Sequence, residues 1–454
     1  IKNDTLDESD IFKIIDSMFS QNNNTELINH QFSSMEQFNT KYIGDIISQF
    51  NTKKIQLDYD PETKKYRTEL HFDFMNYTLG KPIIHENDGS FQENYPMLSR
   101  FRNMTYSSPL NIDIKFTRIF RVPDINNKKP NLDNEQIKTQ YFNKINFGKI
   151  PIMVKSHNCV LKQKNGISPV QRGECNIDSG GYFIIGGNEK VIVSQETISP
   201  NELLIFHNSR KLKGQEIEIR YSSDKQFSVI MGNMIRLVYK DNTIEFESPS
   251  FKNPVPIWIL LKYMGIETDK KMVDSIVWDQ NTKIGKELVN ILKPSFIKYK
   301  NMNPTNENIS TILLPYLIYR YQNKDIKPTI DDKLKYLKKV VQDEVIPIVG
   351  PKFSRKAKYM GFMIRKLLLV HLNYIPYDDR DSYTCKRIDT PGRLMASLFR
   401  QCFNKLVKDM MKSLNKEIKS NKNNKDPFDI INNNNIYKII KPTHIDGGIK
   451  YACA

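Results

Sequence analysis

Residues 180–196 read GGYFIIGGNEKVIVSQE. Apolar runs flank a turn made of Gly186, Gly187, Asn188 and Glu189, and Lys190 follows at once. A phosphate-binding loop of the form G-x-x-x-x-G-K-[ST] lies between a strand and a helix. Its successive backbone N–H groups and the helix N-terminus hold the phosphates. Gly181 and Gly186 have that separation, but Gly187 stands where the lysine belongs, and KVIVSQ (190–195) reads as a strand. The glycines are then tight-turn residues that accept positive φ, and the stretch predicts a β-hairpin. The polar set Glu189, Lys190 and Gln195 is not explained by a hairpin alone.

Strand character extends upstream. LHFDFMNYTL (70–79) and LNIDIKF (110–116) alternate apolar with polar residues, and KIPIMV (149–154) leads toward the hairpin. Residues 124–145 are polar and charged and read as a loop. Residues 1–50 read as helical: Ile11, Ile14, Ile15, Met18 and Phe19 recur at helical spacing, as do Met35, Phe38, Tyr42, Ile46, Ile47 and Phe50. Downstream, residues 216–248 read as an antiparallel meander, with SDK, GN and DN as its turns. Helices are expected around 256–266, DKKMVDSIVW (269–278), TILLPYLIYRY (311–321), 333–349 and 354–372. Residues 391–420 predict one long helix, capped by Thr390 with Pro391 at its first position. Leu394, Leu398, Cys402, Leu406 and Met410 form a stripe of it, with Phe399, Phe403 and Val407 beside them. SNKNNKD (420–426) and INNNNI (431–436) read as loops. The β-then-helix block between about 197 and 372 resembles an inserted domain, so the flanks are expected to fold together.

The chain has 454 residues, with 39% hydrophobic and 11% aromatic content, enough for two or three packed domains. Its net charge of +17 points to an acidic partner, nucleic acid being the commonest soluble one; an Asn/Lys-rich composition without any ligand is the plainer alternative. Cysteines stand at 159, 175, 385, 402 and 453, without C-x-x-C spacing, so a zinc site is not supported and free thiols are expected. No apolar run is long enough to span a membrane. No signal peptide is read at Ile1, and the missing Met places the true N-terminus upstream.

Two further segments bear on chemistry. YDDRDSYTCKRIDTPGRL (377–394) groups Asp378, Asp379 and Asp381, and clustered aspartates hold Mg²⁺ in nucleotidyl transferases. Arg380, Lys386 and Arg387 lie among or after them, which fits a salt-bridged turn or a surface toward nucleic acid better than a metal cage. Arg393, Arg400, Lys405, Lys408, Lys412, Lys416 and Lys419 line the polar side of the long helix. They form either a solvated face or a set of phosphate contacts, which need charge but no sequence specificity. No hydrolase motif and no RNP-type or zinc-finger module is present.

Several segments together carry a family resemblance. They are YPMLSRFRNMTYSSPLNIDI (95–114), IPIMVKSHNCVL (150–161), GECNIDSGGYFIIGGNEKVIVSQETISPN (173–201), FSRKAKYMGFMIRKLLL (353–369), DDRDSYTCKRIDTPGRLM (378–395) and GGIKYACA (447–454). VPIWILLKYMGI (255–266) adds a weaker match. In this order they resemble the N-terminal part of the second-largest, β-type subunit of multisubunit DNA-dependent RNA polymerases. The archaeal, eukaryotic or large-DNA-virus type fits better than the bacterial type.

The resemblance implies an α+β fold: a discontinuous protrusion domain (1–196 and 373–454) with an inserted α+β lobe domain (197–372), lining one side of a DNA cleft. It implies a chain that stops before the fork, the hybrid-binding region and the clamp of the family. Such a part supports DNA-templated transcription as a piece of a nucleotidyltransferase complex and is non-catalytic alone. No catalytic residue, metal ligand or cofactor is then expected in this chain, and Mg²⁺ belongs to other segments and subunits. Implied partners are template and non-template DNA, the largest subunit, the remainder of the second subunit and other polymerase subunits, with no membrane. The implied location is intracellular: host cytoplasm or virion if viral, nucleus if cellular. Carried over residue by residue, Asp381, Lys386 and Arg387 match positions near the non-template strand and downstream fork junction. Lys190 and Gln195 match hairpin positions facing the main channel, and Arg393 completes the expected nucleic-acid set. Lys386 stands where bacterial relatives have Arg, and Ile198 where they have a pocket-forming Arg, so neither bidentate contacts nor that pocket carries over. Two other readings stay open: a stand-alone basic nucleic-acid-binding protein, and a self-sufficient metal-dependent nucleotidyltransferase using Asp378, Asp379 and Asp381.

Overall fold

The computed structural model describes residues 8–21, 26–60, 65–122, 134–162, 168–208, 214–222, 232–240, 242–266, 268–302, 305, 308–319, 329–379, 381–420, 431 and 435–453. The chain is of mixed α+β character and divides into two compact units. One comprises residues 1–195 with 389–454, the other residues 196–388.

In the first unit, strands Lys53–Asp60, Lys65–Leu79, Ser107–Val122 and Asn134–Pro151 form an antiparallel sheet in sequence order. Alternation explains its buried face. Leu70, Phe72 and Phe74, and Leu110, Ile112, Ile114 and Phe116, recur every second residue and are all buried. Phe72 and Phe116 are register partners whose rings stack at 4.6 Å. The fourth strand corrects an expectation, since residues 134–145 are strand and not loop; the rest of that polar stretch lies outside the described residues. It is an edge strand with Ile137 and Tyr141 exposed, so its sequence lacks the apolar alternation of its neighbours.

The long helix Pro391–Ser420 covers this sheet. Phe399 and Phe403 lie one turn apart and are fully buried. The Phe403 ring meets Phe50 at 5.4 Å, Phe74 at 5.5 Å and Phe147 at 6.0 Å, joining helix to sheet. Phe399 meets Phe38 at 6.2 Å. The start of the helix differs from the expected cap. Gly392 N–H donates to Ser34 Oγ at 2.8 Å, and Ser34 Oγ in turn donates to Thr390 Oγ1 at 2.7 Å. A hydroxyl from helix Asn29–Gln37 therefore serves the helix N-terminus, and Thr390 supports it from behind. The stripe at 394 and 398 is only half-buried, whereas Met395, Cys402, Leu406, Met410, Leu414 and Ile418 are buried. Helix Thr443–Cys453 packs on the same long helix, where a Cβ at Gly448 would lie 2.5 Å from Cys402 Sγ. Of the N-terminal residues expected to be helical, Ile11, Ile14 and Ile15 lie on helix Glu8–Gln21 and are exposed. The expected loops 420–426 and 431–436 fall mostly outside the described residues.

The second unit holds an antiparallel sheet of strands Leu204–Asn208, Gly214–Ser222, Gly232–Lys240, Thr243–Glu247 and Val255–Pro256, again in sequence order. Helices Ile257–Tyr263, Asp269–Val277, Lys283–Lys300, Ile330–Asp343 and Phe353–His371 build the rest of its core. Lys283–Lys300 is not among the expected helices; Gly285 and Pro294 interrupt its pattern. The structure shows a use for Gly285 and for Ser295, the residue after the proline. A Cβ at Gly285 would lie 2.0 Å from the Asp279 carbonyl, and Ser295, beside the proline, accepts the Trp258 indole N–H at 2.8 Å. Lys356 is fully buried yet satisfied, its Nζ donating to the carbonyls of Gln342, at 2.8 Å, and Val345 at the end of Ile330–Asp343. A cation at a helix C-terminus is favourably placed. Of the expected meander turns, SDK and the first residue of DN lie outside the described residues.

Candidate nucleic-acid interface

The opening stretch folds as a short hairpin. Phe183–Ile185 pairs with Asn188–Lys190, leaving only Gly186 and Gly187 in the turn, at φ 57° and 82°. Two positive φ values in a two-residue loop define the turn that suits right-twisted strands, and glycine accepts them without strain. The loop N–H groups are already used: Gly187 N–H donates to the Met104 carbonyl at 2.9 Å and Gly186 N–H to Thr105 Oγ1 at 3.1 Å. A Cβ at Gly187 would lie 2.7 Å from Asn103 Oδ1. The turn is buttressed by protein and offers no nest to a phosphate. The single strand expected over KVIVSQ does not form: residues 191–194 are irregular, and Gln195–Ile198 is a separate strand.

Glu189 is explained by a residue that sequence reasoning gave no role. Arg100 Nε donates to Glu189 at 2.8 Å, one guanidinium nitrogen to Glu174 at 2.7 Å and the other to the Tyr182 hydroxyl at 2.8 Å. Tyr182 donates onward to Asp178 at 2.6 Å. Burial works against the Arg100 charge, but the hydrogen bond and charge of Glu174, with help from Tyr182 and Glu189, hold its pKa above the ordinary arginine value. Glu189 thus belongs to the frame of the hairpin.

The expected site residues fall into two groups. In the first unit, Lys190 and Gln195 come together. With Val191, Val193, Leu394 and Leu398 they line an open cavity of about 410 Å³ beside the first turns of the long helix. Val191 and Val193 are exposed, at 60% and 67%. Arg393, in the same first turn, pairs with Asp389 at 3.3 Å. In the second unit, Lys386 reaches Glu196 at 2.7 Å and Asp381 at 4.0 Å, while Asp381 is 92% exposed. Arg387 pairs with Glu202 at 3.4 Å. The hydrogen bond and charge of Glu196 hold the Lys386 ammonium above its ordinary pKa. Three of the expected cations, Arg393, Lys386 and Arg387, therefore each carry a carboxylate partner. Glu196 and Glu202 were missed because nothing in sequence separates a partner acid from any other surface acid. Along the long helix, Lys405, Lys408, Lys412 and Lys416 are exposed, and Lys412 pairs with Asp409 at 3.3 Å; the side chain of Lys419 lies outside the described residues.

The aspartates do not converge. Asp378 Oδ2 accepts the Ile205 N–H at 2.8 Å and Lys366 Nζ at 3.3 Å, which ties it to the sheet of its unit. Asp379 accepts the Asp381 N–H at 2.9 Å in a local turn. Among the described residues no three His, Cys, Asp or Glu side chains stand together as metal ligands. Among them, too, no helix is long and apolar enough to cross a membrane.

An α+β chain of two units, one assembled from both ends of the sequence, with surface cations on both, defines the class: a multi-unit basic protein with no metal cluster among its described residues. The family follows from comparison. The model of the RNA polymerase beta subunit family matches residues 26–438, and the chain belongs to that family. The chain is similar to DNA-directed RNA polymerase II subunit 2 of Arabidopsis thaliana, with 28% identity over 99% of this chain and 36% of the relative. It is similar to DNA-directed RNA polymerase subunit 2 of Acanthamoeba polyphaga mimivirus, with 29% identity over 99% of this chain and 37% of the relative. The archaeal DNA-directed RNA polymerase subunit Rpo2N of Methanocaldococcus jannaschii is 28% identical over 90% of this chain and 75% of its own length. The chain thus spans about a third of the length of the eukaryotic and viral relatives.

Proposed function

We propose that the chain is the N-terminal part of the second-largest subunit of a DNA-directed RNA polymerase, lining the DNA cleft and supporting DNA-templated transcription. The observation that carries this reading is the family match over residues 26–438, which takes in parts of both compact units. We assign the unit formed by both chain ends to a protrusion and the inserted unit to a lobe. The partners are DNA, the largest subunit, the remainder of the second subunit and other polymerase subunits, within the cell or a virion. In this reading the chain is non-catalytic alone, with Mg²⁺ and the nucleotidyl transfer supplied by other segments and subunits; the engagement of Asp378 and Asp379 with neighbouring groups supports it.

The role of these residues is electrostatic. Lys190 and Arg393, with Gln195 near Lys190, offer cations on one unit, and Lys386 and Arg387, with the acid Asp381 near Lys386, offer cations on the other. Phosphate contacts of this kind position a duplex without reading its bases. The reading of a basic protein without polymerase partners is less favoured, because the match extends far beyond the basic helix.

The test is binding of bubble and duplex DNA across a range of salt. Weak, sequence-independent binding that falls steeply with salt is expected, and each lost phosphate contact should reduce the slope of log K against log salt by about 0.9. Lys190→Ala, Lys386→Ala and Arg387→Ala each lower that slope. Binding indifferent to salt, or unchanged in all three variants, would refute the reading.

A further inference from the structure

Helix Phe353–His371 contains five basic residues besides its terminal histidine and no carboxylate: Arg355, Lys356, Lys358, Arg365 and Lys366. Lys356 is consumed in the core. Arg355, Lys358, Phe362 and Arg365 follow one another at spacings that place them on a single helix face. The first three are exposed and Arg365 is half-buried.

Trp278 is set against this face. It is 61% exposed, whereas Trp258 in the same unit is buried. The Arg365 guanidinium lies 4.4 Å from the Trp278 ring centroid, and Phe362 lies nearly parallel to the indole, at 6.5 Å and 12°. Tyr359 continues the aromatic row at 6.2 Å from Phe362. The backbone at Trp278 has φ 64° and ψ −59°, in a three-residue turn closed by Asp279 N–H to the Val277 carbonyl at 2.8 Å. A bulky L residue rarely adopts that conformation. Arg365 is itself anchored by the carbonyls of Ile276 and Val277. A strained turn thus holds a braced indole toward solvent, and core packing does not account for it.

We propose that Trp278 and Phe362, with Arg355, Lys358 and Arg365, form a binding face for single-stranded nucleic acid. Bases stack on the aromatic rings and phosphates lie on the cations. Every base has a π-face, so such platforms need no sequence preference, and a duplex keeps those faces hidden. Charge complementarity selects a polyanion. The nearby carboxylates face their own turn: Asp274 accepts from Gln280 at 2.6 Å and Asp279 from the Asn281 N–H at 2.9 Å. The inference goes beyond the cleft assignment and stands apart from Lys190, Lys386 and Arg387, so either can fail without the other.

The chain has only two tryptophans, and Trp258 is shielded, so solvent-exposed emission reports Trp278. The full chain is titrated at low salt with oligothymidylate, with oligouridylate and with a duplex of equal length. Saturable quenching by the single strands and weaker quenching by the duplex are expected, and the two oligonucleotides separate a DNA site from an RNA site. Trp278→Ala should abolish the quenching and weaken binding of a labelled single strand by on the order of five- to a hundred-fold. Trp278→Phe should keep most of the affinity, and Lys358→Ala, on the surface, should weaken binding at low salt without altering circular dichroism. If Trp278→Ala does not fold, Trp278→Phe and Lys358→Ala carry the test. Emission unmoved by single strands, equal quenching by duplex, or a shift seen only with a protein partner overturns the proposal.

Discussion

Arg100 Nε donates to Glu189 Oε1 at 2.8 Å, while the same guanidinium holds Glu174, whose side chain is 5% exposed against 55% for Glu189. The two acids are therefore unequal. Removing one partner of a buried pair leaves an uncompensated charge and costs about 3–5 kcal/mol, whereas an exposed pair contributes about 1 kcal/mol or less. Arg100→Ala should lower the denaturant midpoint strongly, and Glu189→Gln only slightly. Equal effects from the two would show that Glu174 is not the buried partner that matters.

Glu196 lies 2.7 Å from Lys386, and Glu202 lies 3.4 Å from Arg387. A phosphate reaching either cation must displace a carboxylate that already occupies it. Glu196→Gln and Glu202→Gln should therefore tighten DNA binding, by about two- to five-fold each, the scale of an exposed ion pair. Lys386→Ala and Arg387→Ala should weaken it. The gain should shrink as salt rises, because screening weakens the pairs and the phosphate contacts together. Affinity measured by anisotropy on one DNA checks all four variants, and a loss of affinity on removing either acid would contradict the competition.

Much of the fold was legible where a periodicity was strong. Leu70, Phe72 and Phe74 announced their strand by alternation, and Phe399 and Phe403 announced the long helix by spacing. What escaped was set by pairing across sequence. The first half of strand Asn134–Pro151 is held by its neighbour and buries no apolar side chain before Phe142, so its polar residues read as loop. Helix Lys283–Lys300 was hidden by Gly285, which is required by a close approach to the Asp279 carbonyl, and by Pro294 within its span. At the site, the cations could be named but their partners could not. Glu196 and Glu202 are close to Lys386 and Arg387 in space and more than 180 residues away in sequence. Arg100 stood inside a recognised segment, yet its three-way role depends on the hairpin closing over it.

Glu69 gives the first unit a predictable response to acid. Burial alone would raise its pKa, but hydrogen bonds from Arg121 and His71 and the Arg121 charge outweigh that and hold it below its ordinary 4.5. The distances are 3.1 Å to Arg121 and 3.2 Å to His71. A depressed carboxylate contributes stability above its unfolded pKa, and this is lost as pH falls through the folded pKa. The urea midpoint should drop as pH goes from above 4.5 toward 3. Glu69→Gln should flatten that part of the profile while lowering stability at neutral pH, and an unchanged acid limb in the variant would remove Glu69 from the explanation.

Gly392 and Gly447 lie on helices of the same unit and should respond to alanine with opposite signs. Alanine is favoured over glycine inside a helix by about 1 kcal/mol. At Gly447 an added Cβ meets nothing within 4 Å, so Gly447→Ala should raise the melting temperature. At Gly392 the added Cβ would lie 1.9 Å from the Ser34 carbonyl oxygen. That oxygen belongs to backbone, and the Ser34 side chain meanwhile accepts the Gly392 N–H, so neither side can yield without loosening the seat of the long helix. The clash should outweigh the propensity gain and destabilise by about 1–3 kcal/mol or more. Thermal melts of the two variants decide the matter. A stabilised Gly392→Ala would mean that the long helix does not approach Ser34 this closely, and the hydroxyl cap described at its N-terminus would fall with it.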